Sequence, residues 1–167
     1  MPNSQRVIKE AMLRQTSNME TKQPTLESLI EKNKFDWVNP NITSKNFPLQ
    51  GKVEPVEEIL YFNEIFSTDE ILKRLDERGY RPVTVYELLT WSQKSWNGKD
   101  FVVALGSVWR DADGFRYVAC LYRDASGRGL GLGWVGSVWR TVCRFAAVRK
   151  SLDTETISPH KMEEEHG

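Results

Sequence analysis

The chain has 167 residues, enough for one domain with a sizeable core, and its 40% apolar and 28% charged content is ordinary for a soluble globular protein. Lysine plus arginine and aspartate plus glutamate balance at 23 each, so no overall field draws in nucleic acid or an anionic membrane surface. No apolar run approaches the roughly 20 residues that span a bilayer, and residues 1–15 lack the continuous apolar segment of a signal peptide. Two cysteines, Cys120 and Cys143, are too few for a disulfide scaffold, which makes a reduced cytoplasmic protein the default expectation.

Three regions are expected: an N-terminal arm with short helices and an irregular wrap over residues 1–52, a main domain over 53–150, and a polar, disordered tail over 151–167. In the arm, Val7, Ile8, Ala11 and Met12 make one short apolar stripe, and Leu26, Leu29 and Ile30 make a second. Phe35, Trp37, Val38, Ile42 and Phe47 follow in loop-like surroundings and are read as a wrap packing onto the main domain. Residues 56–62 read as a strand. Ser67 and Glu70 then form a capping box ahead of a helix ending near Arg78, with Gly79 just beyond it. Thr84 and Glu87 form a second capping box for a helix to about Trp96, and Pro82 keeps Arg81 extended. From Phe101 onward the texture is β: a strand to Trp109, a turn at residues 111–114, a returning strand over 115–122, and a loop over 123–129. The order of strand, two helices and a run of strands predicts an α+β fold, with two short helices packed on a mostly antiparallel twisted sheet.

The stretch 130–150 is the most unusual part of the chain. Leu130, Leu132, Trp134, Trp139, Arg144 and Phe145 are large. Between them stand Gly131, Gly133, Val135, Gly136, Ser137, Val138, Thr141, Val142 and Cys143, with Arg140 the one long exception. Leu130-x-Leu132-x-Trp134 alternates as a strand, residues 135–137 have loop chemistry, and residues 144–149 read as a closing buried strand. The arrangement predicts an irregular excursion between two strands, with Trp134 and Trp139 as buried anchors, and an irregular loop on a rigid scaffold points to binding.

Catalytic and metal-site patterns find little support. Gly131, Gly133 and Gly136 match Gly-x-Gly-x-x-Gly by letter, without the strand–helix setting of a dinucleotide site. Asp111, Asp113 and Gly114 resemble the start of a calcium loop that lacks its later acidic ligand, and read as a turn. His160 and His166 lie in the tail without partner spacing, so no metal site is expected, and no cofactor is called for. Without a histidine in the folded part, Cys120 and Cys143 read as buried thiols. Gly-Ser-Val-Trp-Arg occurs at Gly106 and again at Gly136; two copies do not make a repeat protein.

Several pieces together resemble a family of short bacterial proteins associated with candidate-phyla genomes. They are Tyr61-Phe62-Asn63, residues 79–89, residues 103–109, Leu130-x-Leu132-x-Trp134, Trp139 and residues 144–150. Residues 81–89 are also similar to the Arg-Leu-Pro-Thr-x-x-Glu-Trp helix of formylglycine-generating-enzyme-type C-type-lectin folds, and the late Gly-Ser-x-Trp and Arg-Phe resemble their closing motifs. The chain lacks a Leu between Arg81 and Pro82 and has no paired-cysteine active site, which argues against the oxidase activity of that group.

Compact C-type-lectin folds of this kind serve as the variable proteins of diversity-generating retroelements, in which adenine positions near the 3′ end of the gene are scrambled. The residues at 131, 133, 135–138 and 140–143 all lie within the set that such codons permit. The resemblance therefore implies a ligand-binding module for an unknown protein or small molecule. Those ten positions would form its surface, and Leu130, Leu132, Trp134, Trp139, Arg144 and Phe145 its fixed frame. The alternatives are a structural or interaction domain of a phage or mobile-element assembly, and a sulfatase-modifying-type enzyme.

Overall fold

A computed structural model describes residues 23–151; the first expected helix, at residues 7–12, and the expected tail beyond Ser151 lie outside them. Among the described residues three helices, α1 (Leu26–Asn33), α2 (Thr68–Glu77) and α3 (Val85–Ser95), accompany nine strands. Two are short strands between α1 and α2, β1 (Trp37–Val38) and β2 (Glu58–Leu60), and two flank α2, β3 (Phe66–Ser67) and β4 (Tyr80–Pro82). The rest follow α3: β5 (Phe101–Arg110), β6 (Arg116–Asp124), β7 (Gly127–Trp134), β8 (Val138–Trp139) and β9 (Cys143–Arg149).

The main sheet is mixed. Its order is β1-β7-β6-β5-β9-β2, with β4 also paired to β9, and β3 and β8 form a separate two-stranded ribbon. The β5–β6–β7 meander and the β2 and β4 pairings with β9 are antiparallel. Strand β9 lies parallel to β5, and β1 parallel to β7. The α+β class and the mainly antiparallel pairing agree with the sequence reading. The parallel join of β9 with β5 arises because the chain leaves β7 through an irregular excursion before it returns beside β5.

Both faces of the sheet are covered. Val102, Ala104, Ala119, Leu121, Ala146 and Val148 share a core with α1 and α3. Val103, Leu105, Val118, Cys120, Phe145 and Ala147 share a second core with α2 and the β3–β8 ribbon. Consecutive residues of one strand point to opposite faces, so the unbroken apolar runs of β5, β6 and β9 are what a doubly covered sheet needs. The N-terminal segment belongs to the first core: Leu26, Leu29, Ile42 and Phe47 are all buried in it. Asn33 ties α1 to α3 by donating to Leu89 O (3.0 Å), and the Tyr86 hydroxyl donates to Phe47 O (2.7 Å).

Local signals form as expected. Both capping boxes are present, with the Ser67 and Thr84 hydroxyls accepting from the Glu70 and Glu87 backbone N–H groups at 3.2 Å. The Asp111 carboxylate accepts from the Asp113 and Phe115 N–H groups, both at 2.9 Å, and so shapes its turn. The expected loop over 123–129 is instead a tight hairpin: Asp124 pairs with Gly127, and β7 is already running by Gly129. Its serine and glycines suit the turn, but cross-strand pairing extends the strand through them.

Glu87 does more than cap its helix. It is essentially buried, yet its carboxylate receives two hydrogen bonds from Arg81 (2.8 and 2.9 Å), one from Thr84 N–H (2.9 Å) and one from Glu54 N–H (2.7 Å). Burial pushes its carboxyl pKa up; the Arg81 guanidinium and the two backbone donors more than offset this and leave it below the ordinary 4.5. Glu87→Ala is therefore expected to cost about 2–4 kcal/mol in denaturant unfolding, the lower end reflecting the partial exposure of Arg81. Because folding lowers this pKa, the contribution is full above 4.5 and is lost as pH falls through the depressed value. Glu87→Gln should flatten that acid-side loss.

Candidate functional site

The excursion between β7 and β9, residues 135–142, is fixed at its start, middle and end. At its start the Val135 N–H donates to Arg116 O (2.9 Å), and Val135 O accepts from the Thr68 hydroxyl (2.6 Å). In the middle, β8 pairs with β3, placing Trp139 opposite Phe66 and Val138 opposite Ser67. At its end the Cys143 N–H closes a turn onto Arg140 O (3.0 Å), and β9 begins.

Trp139 holds the middle. It is 5% exposed, its ring meets Phe145 edge-on at 6.0 Å, and its Nε1–H donates to the Thr68 hydroxyl (2.8 Å). Thr68 is buried at the first position of α2, so one hydroxyl links that helix to both the loop backbone and the anchoring indole. The buried N–H is satisfied, and the indole contributes roughly 2–3 kcal/mol from burial.

The expectation of two buried indole anchors holds for Trp139 and fails for Trp134, which is 48% exposed. The alternation of β7 puts Trp134 on the same face as Leu130 and Leu132, but beyond the edge of the core. There it sits opposite Tyr117 in register and edge-on to Phe115, with 6.0 Å between ring centroids. Trp109 and Tyr117 are 5.8 Å apart, so a row of aromatic side chains crosses β5, β6 and β7 at this end of the sheet. Of the other frame residues, Leu130 and Phe145 are buried and Leu132 partly so. Arg144 is half-buried, stacked on the Tyr61 ring at 4.5 Å and paired with Asp100 at 3.9 Å.

The ten candidate surface positions divide. Gly136, Val138, Arg140, Thr141 and Val142 are exposed, Val142 to 67%, and Val135 and Ser137 are half-buried. Gly131, Gly133 and Cys143 do not belong to that surface. Gly131 and Cys143 are buried. A Cβ on Gly133 would stand 2.9 Å from the Trp139 ring, one on Gly131 3.0 Å from Tyr122, and one on Gly136, although that glycine is exposed, 2.6 Å from the Trp134 ring. Gly131 and Gly133 leave room for aromatic rings laid across β7, a cross-strand relation invisible in sequence spacing. The two Gly-Ser-Val-Trp-Arg segments also diverge: Trp109 joins the aromatic row, whereas Trp139 anchors the loop beneath the opposite face. Gly106 is pressed against the backbone of Val83, whose carbonyl accepts its N–H at 2.7 Å.

Sequence reasoning missed Thr68, Tyr61 and Ile65. Segments 61–67 and 138–144 run antiparallel, as the Tyr61–Arg144 stack and the β3–β8 register show. Phe66 and Trp139 point inward, so Ile65 and Val138 face outward, and both are exposed. The signal available in sequence was the alternation of Ile65, Phe66 and Ser67, too short to establish a strand.

Cys120 and Cys143 are both free and buried. Burial, with a smaller effect from Cys143, pushes the Cys120 thiol up to about 12. Burial also raises the Cys143 thiol, against opposing effects from the Arg140 backbone and guanidinium. Thiols held protonated are poor nucleophiles. Among the described residues, no group of three or more His, Cys, Asp or Glu side chains is placed to hold a metal ion, and no helix is long and apolar enough to cross a membrane.

Trp139→Ala is expected to cost about 3–5 kcal/mol in denaturant unfolding, and Trp134→Ala about 1 kcal/mol or less. Equal costs would remove the distinction between anchor and exposed ring. With iodoacetamide at pH 8, both thiols are expected to label far more slowly in the native protein than in urea; rapid native labelling would show that burial does not protect them.

Compared with known protein families, with curated proteins and with solved structures, the chain matches none.

Proposed function

We propose that this protein is a ligand-binding module that presents the excursion between β7 and β9 as its recognition surface. The observation that carries this reading is the Trp139–Thr68–Val135 linkage. It fixes the loop backbone from beneath, while the side chains at 138, 140, 141 and 142 project into solvent. Side chains so placed contribute little to stability, so their identities are free to follow a ligand. The surface joins apolar Val138 and Val142 with the cationic Arg140 and the hydroxyl of Thr141. That mixture suits a protein or small-molecule ligand and supplies no nucleophile–base pair.

The C-type-lectin-like fold and the kinship with retroelement-diversified variable proteins belong to this same proposal. Three features support it. The strand β2, which precedes α2 and α3, lies antiparallel to the closing strand β9. Helices α2 and α3 intervene, and a three-stranded meander precedes the loop. The positions open to change are narrower than the ten read from sequence, because Gly131, Gly133 and Cys143 support the frame and a Cβ on Gly136 would stand 2.6 Å from the Trp134 ring.

The test is to sequence the 3′ end of the gene with its flanking DNA. A near-copy of the codons for residues 130–145 is expected beside a reverse-transcriptase gene, differing mainly at adenines. The differences should concentrate at 137, 138 and 140–142, sparing 131, 133, 136 and 143. A near-copy with differences spread evenly over the buried positions would refute the surface assignment, and the absence of any near-copy would refute the diversification reading.

A further inference from the structure

The two edges of the main sheet are built differently. At one edge β2 is three residues long and begins at exposed Glu58, with exposed Glu57 just ahead of it, short and charged as guarded edges are. At the other edge, β1 covers β7 only at Gly129 and Leu130, and the Asn39 N–H to Leu130 O bond (2.9 Å) ends the pairing. Residues 131–134, Gly-Leu-Gly-Trp, then run on without charge and, on the side away from β6, without a neighbouring strand among the described residues.

The register shows which backbone groups this leaves open. Arg128 O and Leu130 O point outward, toward Asn39 and the chain around β1, where they accept from the Asp36 and Asn39 N–H groups. Backbone direction alternates along a strand, so Leu132 and Trp134 point outward as well, while Gly131 and Gly133 turn toward β6. The Val135 N–H to Arg116 O bond confirms that parity. The Trp134 carbonyl is taken by Ser137 N–H (3.1 Å), which leaves the N–H and C=O of Leu132 and the N–H of Trp134 unpaired among the described residues. The edge also ends in exposed aromatic surface: Trp134 at 48% and Phe115 at 49%, touching edge-to-face.

We infer that the open edge of β7 takes an extended peptide segment of the ligand as an added strand, with an apolar side chain of that peptide seated against Trp134 and Phe115. Only another extended backbone offers a carbonyl and an amide at the spacing of Leu132 and Trp134. Beyond Trp134 the chain continues directly into the loop of residues 135–142, so one partner spans both. This rests on the proposed recognition surface and names its ligand class as polypeptide.

The experiment uses the full chain and a phage-displayed library of linear random dodecapeptides. Peptides selected on the wild type are then measured against Leu132→Ala, Leu132→Pro, Trp134→Ala and Arg140→Ala. Proline at Leu132 removes an outward N–H that serves no ladder bond within the protein, so the sheet tolerates it, and the alanine variant controls for the lost side chain. Circular dichroism confirms folding, and Trp134→Ala provides an independent readout if the proline variant unfolds. Expected are peptides with apolar residues at alternate positions, binding about tenfold more weakly to Leu132→Pro than to Leu132→Ala, and weakened by Trp134→Ala. Amide hydrogen exchange at Leu132 and Trp134 should be fast in the free protein and slowed by peptide.

Peptides weakened by Arg140→Ala but indifferent to Leu132→Pro and Trp134→Ala would overturn the strand-addition inference and leave the loop surface standing. Peptides indifferent to all four changes would overturn both. Leu132 and Trp134 amides already protected in the free chain would show the edge covered by a second copy or by the chain's own ends, a distinction read from size-exclusion elution, and would equally overturn the inference.

Discussion

The buried carboxylate of Glu87 is the constraint on which most of the architecture depends. Removing a carboxylate from water is costly, and the cost is met only if its oxygens are fully engaged. Here the engagement comes from three separate parts of the chain: Arg81 in β4, the start of α3 at Thr84, and Glu54 ahead of β2. Meeting Glu87's hydrogen bonds brings these segments together beside β9. The junction between β4 and α3 is then held from both sides: Val83 N–H donates to Ala146 O (3.2 Å) in β9, and Val83 O accepts from Gly106 N–H in β5. The Ser107 hydroxyl accepts from Val85 N–H (2.9 Å), so the start of α3 is bonded to β5 as well.

From that junction outward, the sheet is clad on both faces, and this explains how the chain carries an irregular loop on a rigid base. One face packs against α1 and α3, the other against α2 and the β3–β8 ribbon. The loop grows from the second face, where Thr68 at the start of α2 is within reach of Trp139 and Val135. Stability resides in Trp139, Phe145 and the helix start, all beneath the loop. The side chains above are released from structural duty, the physical condition for a surface specialised in binding.

The glycines of β7 illustrate how sequence and structure divide. In sequence, Gly131 and Gly133 among large residues read as positions free to vary. In space they are small because Tyr122 and Trp139 lie across them. The same misreading made Trp134 an anchor. Its spacing from Leu130 and Leu132 does place it on the core-facing side of β7, but the core ends before it does, and the ring joins Phe115 at the rim. Periodicity tells which face a side chain takes; it carries no information on where the opposing layer stops. Within the site, the loop character of residues 135–137, the burial of Trp139 and the exposure of five loop positions were legible, whereas Thr68, Tyr61 and Ile65 were not.

What the sequence alone determined is what arises within about four residues of each position. The two capping boxes bond over three residues, the Asp111 turn over four, and Gly79 and Gly114 supply the positive φ values of 84° and 90° that follow a helix and close a hairpin. The apolar runs of β5 and β9 likewise announced strands, the second of them buried. What only the tertiary structure decided is set by partners far apart in the chain: the parallel seam of β5 with β9, the two-residue β1 against β7, and the Trp139–Thr68 bond across 71 positions. Local bonds are specified by residue spacing. Pairings at long range depend on which surfaces remain to be buried once every element has formed, and that is a property of the whole packed chain.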